Sequence, residues 1–320
     1  MKKITAVVLL LGMILALAAC GGSAEGKYKL GLGIVASTEA SSSEAHVAQV
    51  DATVAAVVLD REGRIAVCRL DCLQNRMDIT DGLVDPATSF LSNAEQKDAA
   101  PEWCRQAAEF ESYVVGKTPA EVAGIKTVET DDGSAVAADE ALYSLVSLPI
   151  ADFKAAIAKA CKDEQGMSFT PGDSFTLGLA CCSFAGESVS AGEEDGFVRM
   201  YTEFAAVVLD GNGRILANLY DVIRPEIAVS NSGEILRTVF KGSERELKET
   251  DLDSPLAWYQ QAANFENYAV GRTAEELGAV ETEMSEEGYP VFADDTLYAS
   301  VSIRVDGMIA VLLRAIEYAR

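Results

Sequence analysis

A chain of 320 residues that is 49% hydrophobic and only 24% charged has the apolar mass for a folded core, which excludes disorder along its whole length. Against 26 Lys and Arg stand 50 Asp and Glu, and a net charge of −24 repels the phosphates of nucleic acid. Nucleic acid is therefore excluded as a partner.

The chain opens with Lys2-Lys3, an apolar run from Ile4 to Leu15, and Leu17-Ala18-Ala19-Cys20. Charged, apolar and small residues in that order make a secretory signal, and the run falls short of the roughly 20 apolar residues that span a bilayer. Its end resembles the bacterial lipobox, in which the cysteine thiol receives a diacylglycerol and becomes the mature N-terminus. The resemblance implies a signal over residues 1–19, lipid attachment at Cys20, and a tether over 20–26 rich in Gly and Ser. The rest would then sit on the extracytoplasmic face of the cell membrane, held by its N-terminal lipid.

Beyond the tether the sequence repeats. Leu30-Gly31-Leu32 returns as Leu177-Gly178-Leu179, Ala55 to Asp60 as Ala205 to Asp210, and Gly63-Arg64-Ile65 as Gly213-Arg214-Ile215. Trp103, Gln106, Ala107, Phe110, Glu111 and Tyr113 match Trp258, Gln261, Ala262, Phe265, Glu266 and Tyr268. Asp139, Tyr143 and Ser147 match Asp294, Tyr298 and Ser302. The repeat is far longer than that of a solenoid and suits two modules, residues 27–162 and 174–320, with a linker at 163–173. Each is expected to own its core and to fold alone.

Within each copy a short apolar run (Lys29 to Ala36; Thr176 to Ser183) precedes a polar loop and a longer strand-like run (Val50 to Leu59; Val198 to Leu209). In the first copy Val50, Ala52, Val54, Ala56 and Val58 share one face. Asp60-Arg61-Glu62-Gly63 and Asp210-Gly211-Asn212-Gly213 then predict hairpin turns rather than calcium loops, because no further acidic ligands follow at the required spacing. Trp103, Ala107, Phe110 and Val114 form a helical stripe, as do Trp258, Ala262, Phe265 and Ala269; both tryptophans are expected in the core and not in a ligand platform. Thr118 to Glu121 and Thr273 to Glu276 are capping boxes for short second helices. Apolar-periodic helices, near Asp152 to Cys161 and Asp306 to Ala319, close the copies. Strands first and helices after predict an α+β fold, each module a largely antiparallel sheet with helices packed on one face.

The chemistry of catalysis is absent from the pattern. His46 lies alone in a polar loop that has no histidine in the second copy and is expected to be exposed; no Gly-x-Ser-x-Gly elbow, His-Glu-x-x-His or Walker loop occurs. Cys68, Cys72, Cys104, Cys161, Cys181 and Cys182 have no cysteine at the matched positions, so the fold cannot depend on one. Cys68 and Cys72 would stand about 13 Å apart along a strand, too far to bond to each other. The six read as small buried hydrophobes or free thiols more readily than as disulfides, and no Cys-x-x-Cys pair suggests a metal. No catalytic and no metal-binding residues are expected.

Tyr143, Ser147 and their counterparts lie between an acidic loop and the closing helix, where free amides favour anions. The order of strand, hairpin, helix, Asp-rich loop and closing helix resembles the FMN-binding domain family, which occurs as tandem copies in electron-transfer lipoproteins. That family carries Asp-x-x-Ser/Thr-Gly-Ala-Thr before the closing helix, and its last Thr can hold FMN as a phosphoester. Here the nearest stretches are Asp139 to Ser147 and Asp294 to Ser302; both lack the glycine and differ in spacing. The resemblance implies FMN at Ser147 and Ser302. The residues themselves point to a non-catalytic protein that binds a small molecule or an envelope partner, with Asp139, Tyr143, Ser147, Asp294, Tyr298 and Ser302 as the candidate site.

Overall fold

The computed structural model describes residues 27–96, 100–248 and 256–320; the signal, Cys20 and the tether lie outside them. The first module runs β1 (Tyr28–Ser37), β2 (Val47–Leu59), β3 (Ile65–Asp78), β4 (Ser89–Phe90), α1 (Pro101–Val114), α2 (Pro119–Ala123), β5 (Thr127–Glu129), β6 (Ala135–Ala137), α3 (Glu140–Leu145) and α4 (Ala151–Lys162). After β7 (Met167–Phe169) in the linker, the second runs β8 (Phe175–Phe184), β9 (Gly196–Arg199), β10 (Tyr201–Asp210), β11 (Ile215–Ile223), β12 (Glu226–Val229) and β13 (Ile235–Val239). It ends with α5 (Glu244–Leu247), α6 (Trp258–Ala269), α7 (Ala274–Gly278), β14 (Thr282–Met284), β15 (Pro290–Phe292), α8 (Asp295–Tyr298) and α9 (Asp306–Glu317). The expected α+β class is what the chain forms.

Local chemistry sets the repeated joints. In the β2–β3 turn Asp60 Oδ1 accepts from the Glu62 and Arg64 amides while Gly63 takes φ +74°; Asp210 and Gly213 (φ +75°) do the same between β10 and β11. A side chain at either glycine would be strained in that left-handed region. Both expected capping boxes form, at Thr118–Glu121 and Thr273–Glu276, and each carries an arginine from the turn, Arg64 on Glu121 and Arg214 on Glu276.

Alternation along the strands sorts the core into layers. Val50, Ala52, Val54, Ala56 and Val58 of β2 face one way with Leu30, Leu32 and Ile34 of β1, while Ala55 and Val57 face the helices. The same alternation divides Ala206 and Val208 from Ala205 and Val207 in β10. On the helix side α4 packs on β1 and β2, and α9 on β8 and β10. Contact there is so close that a Cβ on Gly31 would fall 1.9 Å from the Ala160 carbonyl oxygen, and one on Gly178 1.9 Å from that of Ala315. This close approach, and not phosphate binding, accounts for the Leu-Gly-Leu pattern.

The inner faces are where the structure departs from expectation. Leu30, Ile34, Val54 and Val58 of the first module share one continuous core with Leu177, Leu179, Phe204, Ala206 and Leu219 of the second. The modules are therefore the two halves of a helix–sheet–sheet–helix stack, and only their outer, helix-side cores are separate. The sheets exchange edges too, for β4 of the first module pairs with β8 of the second, and linker strand β7 pairs with β1.

Two further expectations shift. The run from Val198 to Leu209 breaks at Met200, and β9 leaves to form a third sheet with β12 and β13. His46 is half-buried and not exposed; its Nδ1 lies 3.4 Å from the Gly233 carbonyl oxygen, in a contact between the modules where Ser43 Oγ also accepts from the Ile235 amide.

Candidate ligand cavities

The six candidate site residues occupy matching places, and their chemistry is largely spent on the fold. Asp139 caps α3 by accepting from the Leu142 amide, and Asp294 caps α8 by accepting from those of Thr296 and Leu297. These carboxylates satisfy amides of the short helices only; the closing helices α4 and α9, whose free amides were expected to favour an anion, begin after Ile150 and Val305 with no side-chain cap. Tyr143 and Tyr298 lie on the surface, 45% and 44% exposed. The Ser147 amide and hydroxyl and the Leu148 amide all donate to Oε1 of buried Gln106, at 2.6, 3.2 and 3.0 Å. Ser302 and Ile303 repeat this on Gln261, at 2.8, 3.2 and 3.2 Å. The glutamine on the Trp helix therefore fixes the segment that leads into the closing helix.

That segment, Leu148-Pro149 or Ile303-Arg304, forms one wall of a cavity that recurs in each module. The other shared walls are the first strand and hairpin strands of the module and the tryptophan in the first turn of α1 or α6; the first cavity adds Asp152 and Phe153 at the start of α4, and the second adds Glu287, Gly288 and Tyr289. Their volumes are about 600 Å³ in the first module and about 480 Å³ in the second, the size range of small-molecule sites. Trp103 and Trp258 thus belong to the helical stripes as expected and at the same time line cavities. Trp258 is 9% exposed and packs at 5.7 Å on Tyr220; Trp103 is half-buried and meets Phe153 edge-on at 6.2 Å.

Charge distinguishes the pair. The second cavity is aromatic, with Phe184, Tyr201, Tyr220 and Trp258, and holds two arginines: Arg224 lies 5.8 Å from the Trp258 ring, and Arg304 pairs with Asp306 through two bonds of 2.7 and 2.9 Å. Buried Glu203, to which the Tyr220 hydroxyl donates, has its carboxyl raised by burial. The first cavity has Glu39, Asp51 and Asp152 but neither Lys nor Arg among its lining residues.

A second repeated feature escaped the sequence analysis. Asp71 and Asp221 sit at matched positions inside strands β3 and β11 and are almost wholly buried. Asp71 Oδ1 accepts from the Cys72 and Ala94 amides, and Asp221 Oδ1 from those of Val222 and Arg245. Beside them Glu111 and Glu266 reach from α1 and α6 to accept the outward amides of Leu70 and Tyr220, 2.8 Å in each case, closing the open side of two edge strands. The match of Asp71 to Asp221, in register with that of Gly63-Arg64-Ile65 to Gly213-Arg214-Ile215, was the available signal.

Burial pushes Asp71 and Asp221 up to about 6. The folded chain therefore keeps protons that the unfolded chain has already released, and this stability, present below about pH 4, is lost as pH rises through 6. Exposed carboxylates such as Glu121 and Asp210, held low by hydrogen bonds, act in the opposite sense but only at lower pH. The urea midpoint is accordingly expected to be higher at pH 5 than at pH 8, with a smaller difference in Asp71→Asn. A midpoint that climbs with pH would contradict the burial of these groups.

Among the described residues no disulfide joins the six cysteines, no three His, Cys, Asp or Glu side chains converge as a metal site, and no helix is long and apolar enough to cross a membrane. Comparison with protein-family models, with characterised proteins and with solved structures gives no match.

Proposed function

We propose that this is a lipid-anchored extracytoplasmic binding protein, without catalysis, that holds a small molecule in the cavity of each module. The observation that carries the reading is the recurrence of a cavity at the same place in two modules whose lining side chains differ. Its walls supply aromatic faces and fixed charges, which orient a ligand. The anchor rests on the Leu17-Ala18-Ala19-Cys20 sequence.

A second reading, an FMN-carrying electron-transfer lipoprotein, is favoured by one observation: Ser147 and Ser302 directly precede the residues that wall the cavities. Their fit to a phosphoester is poor, because each hydroxyl already donates to a buried glutamine and esterification would remove that proton. A panel of charged and aromatic compounds that includes FMN, read by thermal shift, tests the first reading. At least one compound should raise Tm in the parent chain and not in a chain whose cavities are filled by Ser37→Trp and Ile303→Trp. Flavin absorbance that stays with the denatured chain would favour the second reading, and a shift that survives in the filled chain would overturn the first.

A further inference from the structure

Comparing the two cavities position by position reveals a paired exchange. Thr53 on β2 matches Glu203 on β10, and Asp152 in the first turn of α4 matches Gly307 in the first turn of α9. A Cβ built on Gly307 would lie 2.3 Å from both carboxylate oxygens of Glu203, so Glu203 fills the space that a side chain at that helix position would occupy. In the first module the strand residue is a short Thr, and the helix residue Asp152 supplies the carboxylate beside Thr53 and Cys72, raising the Cys72 thiol further. A carboxylate thus stands at the matched place in both modules, delivered from opposite walls, and the second adds Asp306, which Arg304 holds.

The surroundings of that carboxylate differ. In the second module Arg224 and Arg304 offset the carboxylates of Glu187, Glu203 and Glu287, where the first has Gln74 and Pro149 in place of the two arginines. In the first, Asp51 joins Asp152 and takes one hydrogen bond from Gln49 Nε2 at 2.8 Å, and Glu39 stands at the rim. No cation lines this cavity, Trp103 forms part of its wall, and the net charge of −24 draws cations toward it. The carboxylates do not converge as metal ligands, so their charge is spread over a volume of about 600 Å³. Distributed negative charge beside an indole suits a cation with an organic body, which takes charge attraction from the carboxylates and cation–π attraction from the ring.

We infer that the cavity of the first module binds an organic ammonium ion between Trp103 and the carboxylates of Asp51 and Asp152, and that the arginine-bearing cavity of the second does not. The inference rests on the binding reading above and names the ligand class for one of its two sites.

The chain has two tryptophans, so Trp258→Phe leaves Trp103 as the sole indole reporter of the first cavity. In that full-length variant, choline and spermidine should change Trp103 emission saturably at fixed ionic strength, whereas NaCl and the uncharged choline isostere 3,3-dimethylbutanol should not. Asp152→Asn should weaken the ammonium response by about tenfold, and Glu203→Gln should leave it unchanged. Asp152 is exposed, so the variant is expected to fold, which an unaltered urea midpoint checks. A saturable response to the neutral or an anionic probe with none to the ammonium ions would overturn this inference and leave the binding reading standing. Silence toward probes of every charge would overturn both, and an ammonium response indifferent to Asp152→Asn would overturn the site assigned here.

Discussion

Produced as separate chains, residues 27–165 and 174–320 are each expected to lack a cooperative unfolding transition. Each would expose the whole inner face of its sheet, including Leu30, Ile34, Val54 and Val58 in one and Leu177, Leu179, Phe204 and Leu219 in the other. Each would also lose an edge strand partner, because β4 and β8 belong to different halves. Burying apolar area supplies most of the driving force for folding, and here the largest apolar cluster draws its residues from both halves. Urea unfolding followed by circular dichroism checks this: the fragments should unfold without a transition singly and regain one when refolded together. A cooperative transition in either isolated fragment, near that of the intact chain, would show that its outer core suffices.

Arg245→Ala is expected to cost about 3–5 kcal/mol, the usual penalty for removing one partner of a buried ion pair. The Arg245 side chain is 6% exposed; it pairs with Glu266 at 2.5 Å and Asp163 at 3.4 Å, and donates to the Gln165 carbonyl oxygen at 3.0 Å. It thereby ties the second module to the linker, and its loss leaves two carboxylates without their cation inside the protein. Replacing Arg245 and Glu266 together, Arg245→Met with Glu266→Leu, should cost less than Arg245→Ala alone, because Asp163 is then the one carboxylate left without its cation instead of two. Urea midpoints of the three chains measure this, and an Arg245→Ala midpoint equal to that of the parent would refute the buried pair.

What the sequence made legible was the chemistry that acts over a few residues. The Asp60 and Asp210 turns, the Thr–Glu capping boxes and the helical stripes beginning at Trp103 and Trp258 need only neighbours to form, and they form as expected. The shared core was not legible, although β2 carried a hint of it. Its apolar run covers both faces, which says that two layers bury it and does not say whether the second is a helix or another sheet.

The candidate residues and the cavity walls recur differently. Identity between copies follows the bracing of the fold: Asp139 and Asp294 cap helices, and Ser147 and Ser302 hang on glutamines. The cavity walls sit next door and differ between copies, as Thr53 with Glu203 and Asp152 with Gly307 show. Residues that set what a duplicated module binds are free to diverge, while those that set its shape are held by packing on both sides.

The central claim, a lipid-anchored protein that holds small molecules without covalent cofactor, is tested most directly by mass. The protein extracted in detergent from the membranes of the cells that make it is weighed under native and then denaturing conditions. The denatured chain should begin at Cys20 carrying lipid, with no addition on the peptides that contain Ser147 and Ser302. The native mass should exceed it by one or two small molecules that leave on unfolding. Equal native and denatured masses, or a flavin phosphate on either serine peptide, would contradict the account.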